Sequence, residues 1–292
     1  MKKNKWILLG VALSMLIIVS CKKDNTSSGT KAVFSYIADG YKVNFTNFST
    51  GATEYKWDFG DQSDSSTLSN PLHVYTKKGQ FLVKLTAKNL TETSTFIDTV
   101  LVIGPNIKID GDFTDWTYVE YTHENAADTA NTLLAVKTFA SAGYLNFYVE
   151  GTSDFSLAVV DIYLDTDNNP ETGLKSWMYP AGSGADFLCE GNYDPETPDA
   201  SSGDVFAHDG TVGTGNEWAW NSVFTFGDMI KFSKMSNNNG RKAIEFSIKR
   251  TGLGTLNNFV NFAIVESDGG WTEIGAIPLD QTPDSKFAQI AL

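Results

Sequence analysis

Apolar and polar residues alternate along most of the chain, in short runs separated by Gly, Asn, Asp and Ser. Residues 80–89, QFLVKLTAKN, and residues 94–103, STFIDTVLVI, show this pattern. A period of two places every second side chain on the same face of a β-strand. After residue 20, no stretch keeps an apolar stripe at helical spacing over three turns. The pattern therefore predicts an all-β protein made of sandwiches or barrels.

The length of the chain predicts two domains. Roughly 270 residues follow the first twenty, which is too many for one small sandwich. A boundary is expected at residues 104–106, GPN, because Pro105 ends a strand pattern. We expect one sandwich over residues 31–103 and a larger one over residues 107–292, joined semi-rigidly by a short linker.

The first twenty residues read as an export signal. Lys2, Lys3 and Lys5 precede an apolar run from Trp6 to Val19, which is too short and too early for a membrane span. The run ends in IIVSC, which resembles the lipobox of bacterial lipoproteins. The resemblance implies cleavage after residue 20, a lipid on the Cys21 thiol and a polar tether over residues 21–30. An ordinary signal peptide with an incidental Cys, or an uncleaved anchor, is the alternative.

The charge of the chain limits its partners. It has 22 Lys+Arg and 35 Asp+Glu, a net charge of −13, and without the signal the balance is 19 against 35, or −16. An acidic surface argues against nucleic acid and suits a neutral partner. Membrane attachment would depend on the lipid, since several acyl chains anchor stably. Cys189 is the second of only two cysteines, and we expect it to be a buried strand residue.

The first domain resembles the polycystic-kidney-disease (PKD) domain, an immunoglobulin-like sandwich. The resemblance covers roughly residues 32–102 and implies a spacer that lifts a partner module from the membrane. Gln62 departs from the Gly that usually follows FGD in this family. The matching residues are Asn47, Ser49, Trp57, Asp58, Phe59, Gly60, Asp61, Asn70, Pro71, His73, Tyr75, Gly79, Val83, Leu85 and Asn89.

The chemistry of these PKD-like residues predicts structural roles. Trp57 and Phe59 are two apart on a strand and should share the core face. Asp58 and Asp61 should close turns by accepting backbone hydrogen bonds. His73 belongs to the same constellation and is expected to hold a corner rather than a metal.

The second domain resembles the family-9-like carbohydrate-binding modules. It opens with IDGDFTDW at residues 109–116 and carries EFSIK at residues 245–249, where Lys249 replaces the proline of that family's EFxIP strand. With the lipobox and the PKD-like spacer, the chain looks like a surface glycan-binding lipoprotein. That resemblance implies an outward-facing outer-membrane protein, a saccharide ligand and partners from a glycan-uptake system. Trp116 belongs to the opening signature and is expected in the core.

Sugar binding requires exposed aromatic plates beside polar groups. Trp177 and Tyr179 lie in a loop rich in Gly, Pro and Ser, which should not bury both, so they are the favoured glycan-binding plates. Trp218 and Trp220 are two apart, so both should enter the core or both should form a surface platform. Trp271 follows SDGG, a hairpin-type turn, and is either exposed or covers one end of the sandwich.

An acidic turn precedes Trp177, at residues 165–173, DTDNNPETG. Asp165, Asp167 and Asn169 alternate as oxygen ligands, which suits calcium. An EF-hand is excluded, since Pro170 and Ser176 stand where Gly and Glu are required. The same residues also make a metal-free turn, with Asp as the cap.

Two other functions remain open at this point. The chain could be an adhesion or scaffold lipoprotein that binds proteins through both sandwiches. A glycoside hydrolase needs two carboxyl groups across a cleft, one with a raised pKa. The candidates are Asp165, Asp186, Glu190, Glu245 and Glu266. No nucleophile elbow, zinc spacing or phosphate-binding loop occurs, so a non-catalytic binder is favoured.

Overall fold

The computed structural model describes residues 29–126, 130–210 and 216–292. The predicted signal, Cys21 and residues 22–28 of the predicted tether lie outside the described residues. Within those ranges the chain forms two sheets of three strands, one of six and one of seven. The prediction of an all-β chain is confirmed. Across the same ranges, the structure contains no helix with the length and apolar character needed to cross a bilayer.

The N-terminal sandwich pairs two three-stranded antiparallel sheets. Its strands are β1 (Phe34–Asp39), β2 (Lys42–Asn47), β3 (Glu54–Asp58), β4 (Leu72–Val74), β5 (Gly79–Lys88) and β6 (Thr93–Val102). The strand orders are β1-β2-β4 and β3-β5-β6. The alternation along β5 places its odd-numbered residues from 81 to 87 in the core, as the pattern of the sequence predicts.

Trp57 lies at the centre of the N-terminal sandwich, fully buried. Its ring centroid is 5.2 Å from that of Phe34 and 5.3 Å from that of Phe45. Its indole nitrogen donates to the Leu68 carbonyl at 2.9 Å, so its polar atom is satisfied. Phe59 is buried beside it. The core role predicted for both residues is therefore observed.

The turn after β3 is closed by its aspartates. Asp58 Oδ1 accepts from the Gly60 amide and Asp61 Oδ1 from the Ser63 amide, each at 3.1 Å. Asp61 also bonds His73 Nε2 at 2.7 Å. Gln62 has φ of 68°, a left-handed value that favours glycine. The turn therefore keeps a glycine-like backbone although Gln62 occupies the position.

The C-terminal sandwich pairs a seven-stranded and a six-stranded sheet. Its elements are β7 (Tyr121–Glu124), β8 (Leu133–Ala140), β9 (Tyr144–Gly151), β10 (Val159–Asp165), β11 (Phe187–Asn192), β12 (Ser202–His208), β13 (Trp220–Thr225), α1 (Phe226–Met229), β14 (Ile230–Phe232), β15 (Ser236–Asn238), β16 (Arg241–Lys249), β17 (Phe259–Ser267), β18 (Glu273–Ile277) and β19 (Ala288–Ala291), with 3-10 turns at Phe113–Trp116 and Pro198–Ala200. The larger sheet runs β13-β12-β11-β10-β17-β18, with β19 beside β17. The smaller runs β14-β16-β9-β8-β7, with β15 beside β16.

The opening signature of this sandwich is attached to β16 through one buried carboxylate. Glu245 Oε1 accepts from the amides of Asp110 and Gly111, at 2.8 and 2.7 Å. Its Oε2 accepts from Trp116 Nε1 at 2.9 Å. Trp116 is buried, as predicted. The two sequence motifs therefore meet in space, and Glu245 has a structural role.

Loops cover only part of the outer face of the seven-stranded sheet. Two loops, residues 166–186 and 278–287, place Tyr179 and Phe287 over Tyr163 of β10. The ring centroids of Tyr179 and Phe287 are 5.0 Å apart, and those of Phe287 and Tyr163 are 6.3 Å apart. The Tyr179 hydroxyl donates to the Pro278 carbonyl at 2.9 Å. The outer side of β11, β12 and β13 lies beside this covered region, and several of its side chains are only half-buried.

The two sandwiches share one buried apolar cluster. It contains Trp57 of the first sandwich together with Trp116, Phe139 and Tyr148 of the second. Tyr41 contacts Phe139 edge to face, with ring centroids 6.3 Å apart. Residues 104–106 lie in the connection, between the end of β6 and the 3-10 turn at Phe113–Trp116.

Candidate functional site

Two tryptophans and a histidine meet at one end of the seven-stranded sheet. His208 of β12 lies opposite Trp220 of β13, and their ring centroids are 5.0 Å apart at 77°. Trp218 stands against Trp220 at 5.8 Å and 80°, and 60% of its surface is exposed. We call His208, Trp218 and Trp220 the tryptophan corner.

The two tryptophans of this corner differ in burial, so the prediction that both would be core or both surface was wrong. Trp218 precedes β13 and does not follow the alternation of a strand. Trp220 is half-buried and packs on a small cluster on the outer face that includes Leu188 and Tyr163. The inner tryptophan therefore supports the exposed one.

Hydrogen bonds orient the imidazole of the corner. His208 Nε2 lies 3.0 Å from the Glu217 carbonyl, so Nε2 carries the proton and Nδ1 is the acceptor. Among the described residues, neither His208 Nδ1 nor Trp220 Nε1 has a partner. Buried polar atoms without partners are uncommon in folded proteins and call for an explanation.

A row of carboxylates crosses the same face of the sheet. Asp161 of β10 lies opposite Glu190 of β11, and Glu190 lies opposite Asp204 of β12. Burial raises the pKa of Asp161 to about 7, and the neighbouring Glu190 adds to the shift. Burial also raises the pKa of Glu190. Strands β10 to β13 contain no Lys or Arg that would offset this charge.

Trp177 is the most exposed of the predicted aromatics, at 73%. It borders a groove of about 610 Å³ between residues 170–183 and Asn216, just before Trp218. Tyr179 is only 1% exposed, so the prediction that it forms a binding plate was wrong. Its ring packs under the loop, and its hydroxyl bonds Pro278, because a turn of this length can fold one aromatic beneath itself. Tyr179 therefore offers no plate.

Trp271 is exposed to the same extent as Trp218, at 61%, but at the opposite end of the sheet. Residue 159 of β10 pairs with Ser267, at the hairpin that carries Trp271, whereas Asp165 begins the loop that leads to Trp177. Seven strand residues separate these ends by about 20 Å. The predicted aromatics therefore do not form one surface.

The acidic turn brings three carboxylates together, and they are not the predicted set. Asp165, Asp167 and Asp186 offer oxygens that all lie within 4.8 Å of one another. The Asn169 side chain instead accepts from the Glu171 amide at 3.2 Å. Asp186 completes the group because β11 begins beside the end of β10. Hard oxygen donors with like charge suit calcium.

Hydrogen bonds within the chain also satisfy much of this turn. The Asn169 amide donates to Asp165 Oδ1 and Asp167 Oδ1, at 3.2 and 2.9 Å. Thr166 donates to Asp186 Oδ2 through both its amide and its hydroxyl. The turn is therefore complete as a metal-free structure, and both interpretations of the sequence remain.

Two of the five candidate hydrolase carboxyls are structural. Glu245 is bonded as described above, and Glu266 is equally buried. Glu266 Oε1 accepts from the amides of Ser156 and Leu157, at 2.7 and 2.8 Å. Donors of the chain itself occupy both carboxylates, and Glu245 lies on the outer face of β16, covered by the opening turn. Cys189 is buried as expected, and burial raises its thiol pKa to about 12.

Sequence reasoning missed the role of His208 and Asp204. Period-two register on β12 places Asp204, Phe206 and His208 on the outer face, but that face becomes visible only when β12 is paired. Asp161 is four residues before Asp165 on β10, and its neighbour Glu190 is apparent only when β10 is paired with β11. The alternation along each strand therefore indicated these residues, but the strand pairing was needed to show that they lie on one face.

The N-terminal domain is a small sandwich of two three-stranded sheets, with a buried Trp and a turn that aspartates close. Residues 28–102 match the family model of the PKD domain. The PKD1 domain of the Vibrio cholerae metalloprotease PrtV is 31% identical, over 25% of this chain and 95% of that one, with a TM-score of 0.24. The PKD1 domain of Vibrio anguillarum Epp is 33% identical, over 25% and 93%, also at 0.24. This part of the chain belongs to the PKD family.

A longer match covers 80% of the chain. The matched structure was solved to explain the promiscuous specificity of carbohydrate-binding modules from the β-sandwich superfamily. Its sequence is 18% identical, over 80% of this chain and 94% of that one. Its TM-score is 0.23. At this level of similarity the match carries no argument about what this chain binds.

Proposed function

We propose that the C-terminal sandwich is a non-catalytic saccharide-binding module, with the tryptophan corner as its principal site. The observation that carries the proposal is the exposed Trp218 ring, which is supported from behind by Trp220. The C–H face of a pyranose stacks on such a plate, and hydroxyl groups bond to polar neighbours. An indole held by a second indole loses little freedom when a ligand binds.

The charge around the corner favours a neutral glycan. Asp161, Glu190 and Asp204 lie on the same face, and their strands carry no cationic side chain. Carboxylates accept hydrogen bonds from sugar hydroxyls, but they repel uronates and sulfates. The acidic net charge of the whole chain acts in the same direction.

Trp177 is proposed as a second contact along the same end of the sheet. The groove beside Trp177 is bounded on its other side by Asn216, which is two residues before Trp218 in the chain. A polymer that spans both plates would gain affinity through two linked contacts. We also propose that calcium, when bound by Asp165, Asp167 and Asp186, stiffens the turn that leads to Trp177.

We further propose that the chain is exported and attached to the outer membrane, facing outward, through lipid on Cys21. The basic and apolar start of the sequence and IIVSC support this. The PKD domain would then act as a spacer, and components of a glycan-uptake system would be partners. Fractionation tests this part: Cys21→Ala should move the protein from the membrane fraction to the soluble fraction, and unchanged membrane association would exclude the lipid anchor.

The chain offers a matched control for the binding site. Trp218 and Trp271 are almost equally exposed, but they lie at opposite ends of the sheet. In affinity electrophoresis against a panel of neutral polysaccharides, we expect Trp218→Ala to weaken retention at least about tenfold, a loss on the scale of one stacking contact. Trp271→Ala should leave retention unchanged. Equal retention of both variants, or no retention of the wild type on any polysaccharide, would refute the proposal.

One observation favours the alternative of an adhesion or scaffold protein. Leu82 of β5 and Ile97 and Leu101 of β6 are exposed large aliphatic residues on the outer face of one PKD sheet. Exposed apolar patches mark protein contacts.

Incubation of a retained polysaccharide with the protein tests the enzyme alternative, because product release would indicate a hydrolase.

A further inference from the structure

A cavity of about 530 Å³ lies beside the six-stranded sheet, away from the tryptophan corner. Its floor is the outer side of β9, β16 and β14. Its walls come from the segment after the domain connection, from α1 and from the turn at Pro198–Ala200. This volume is within the range of small-molecule sites in proteins.

The floor of the cavity carries polar side chains that can bond a ligand. Asn146, Ser247 and Lys231 lie side by side across the three strands. Ser247 is buried, and among the described residues nothing hydrogen-bonds its hydroxyl. Asn146 is also buried, and its amide nitrogen donates to the Phe139 carbonyl at 2.8 Å, whereas its side-chain oxygen has no partner in the described chain. Because both residues line the cavity, the Ser247 hydroxyl and the Asn146 side-chain oxygen can form hydrogen bonds with a ligand there.

Two lysines border this cavity. Lys231 and Lys249 line it, with Asp199 as the single carboxylate in the described lining. Lys231 Nζ donates to the Ile109 carbonyl at 2.9 Å, and Lys249 Nζ to the Asp228 carbonyl at 2.5 Å. A lysine ammonium has three protons, so each retains donors for a second partner. The lining therefore offers two ammonium groups to an anionic ligand, and the nearby Asp228 carboxylate also interacts with the charge of Lys249.

Part of the wall is apolar. Ile109, Phe226, Met229 and Ile230 are buried residues that line the cavity. A hydroxylated, fully polar ligand would leave these groups without apolar contact, and a hydrocarbon would leave Ser247 and the lysines unpaired. The lining therefore selects a ligand with an apolar body, one anionic end and a hydroxyl group.

We propose that this cavity is a second binding site, which takes a small carboxylate with an apolar body and a hydroxyl group. The carboxylate pairs with Lys249 and Lys231, the hydroxyl group bonds Ser247 and Asn146, and the body packs on Ile109, Met229 and Ile230. The site lies on the other sheet from Trp218 and does not depend on saccharide binding.

The test is an NMR titration of the full-length protein with 4-hydroxybenzoate, with the neutral 4-hydroxybenzamide as the matched probe. We expect amide shifts at residues 107–109, 226–232 and 247–249. The benzamide should bind about fivefold or more weakly, as should Lys249→Met, since each removes one charge contact worth about 1 kcal/mol. Ser247→Leu fills the cavity and should abolish the shifts.

Lys234→Met is the control, because Lys234 is exposed near β14 but does not line the cavity. It should leave the dissociation constant unchanged. Thermal unfolding of Ser247→Leu checks that the variant is folded. If it is not folded, the dissociation constant of Lys249→Met tests the proposal instead. Absence of shifts at these residues, equal binding of the two probes, or equal effects of Lys249→Met and Lys234→Met would overturn the proposal. The polysaccharide retention of the wild type and of Trp218→Ala is a separate measurement. Its outcome tests the saccharide site and does not depend on whether this cavity binds a ligand.

Discussion

The indole nitrogen of Trp116 donates a 2.9 Å hydrogen bond to Oε2 of Glu245, 129 residues later in the chain. Glu245 Oε1 holds the amides of Asp110 and Gly111 at the same time. One carboxylate thus attaches the opening turn of the C-terminal sandwich to its central strand β16. Burial raises the Glu245 pKa, and these three donors oppose that shift.

Replacing Trp116 by Phe should destabilise the protein by about 1–3 kcal/mol, because a buried carboxylate oxygen loses its donor. Trp218→Phe is the matched control, and it should change the free energy of unfolding by less than about 0.5 kcal/mol, since Trp218 is exposed. Urea denaturation measures both values. Equal effects of the two substitutions would show that the Glu245 bond contributes no stability.

Asp161→Asn should stabilise the protein at pH 8 and have little effect at pH 4. The folded-state pKa of Asp161 is about 7, and its usual value is 3.8. Between these values the folded state retains a proton that the unfolded state releases, so stability falls as pH rises from about 4 to about 7. The amide removes this dependence and should gain on the order of 2–4 kcal/mol above pH 7.

Melting temperatures of wild type and Asp161→Asn at pH 4 and pH 8 check this prediction. Asp39→Asn, at an exposed position, is the control and should shift neither value appreciably. A gain that is the same at both pH values would mean that the charge of Asp161 is not the cause.

Gly104→Ala should destabilise the contact between the two sandwiches. Gly104 has φ of 81°, and a Cβ there would lie 2.5 Å from Phe139 Cε2. Gly240 has a similar φ of 84°, but a Cβ there would meet nothing within 4 Å. Gly240→Ala therefore measures backbone strain alone, about 1–2 kcal/mol. We expect Gly104→Ala to exceed it by about 1–3 kcal/mol through overpacking in thermal unfolding. Equal losses would show that Phe139 moves freely.

Calcium should raise the melting temperature of the wild type and not that of Asp167→Asn. Calcium at a hundred times its dissociation constant stabilises by about 2.7 kcal/mol, and one of three carboxylate ligands is lost in the variant. Asp194→Asn is the control. Asp194 also closes a turn, by accepting from the amides of Glu196 and Thr197, but it lies outside the acidic group. No increase in the wild type, or the same increase in all three proteins, would refute calcium binding.

Much of the PKD domain could be predicted from its sequence. Trp57, Phe59, Asp58 and Asp61 act through neighbours along the strand or within one turn, so spacing alone predicts their faces and partners. The same applies to the alternation along β5. Local geometry suffices for such residues.

The candidate site was less predictable. Tyr179 was expected at the surface, but it packs beneath its own loop against Phe287, which follows it by 108 residues. Asp186 replaced Asn169 in the acidic group because β11 begins beside the end of β10. Burial and proximity of this kind depend on strand order, which a local pattern does not contain.

The sequence by itself determined the all-β class, the PKD domain, the exposed character of the Trp177 loop and the acidic balance of the chain. These properties follow from period two, from turn chemistry and from composition, which act over a few residues. Only the tertiary structure decided that Trp218 stands on Trp220 beside His208, that Trp271 lies at the far end of the sheet, and that Glu245 binds Trp116. Each of these relationships joins strands through cross-strand register and packing, and the free energy that selects them arises only when distant segments exclude water from one another.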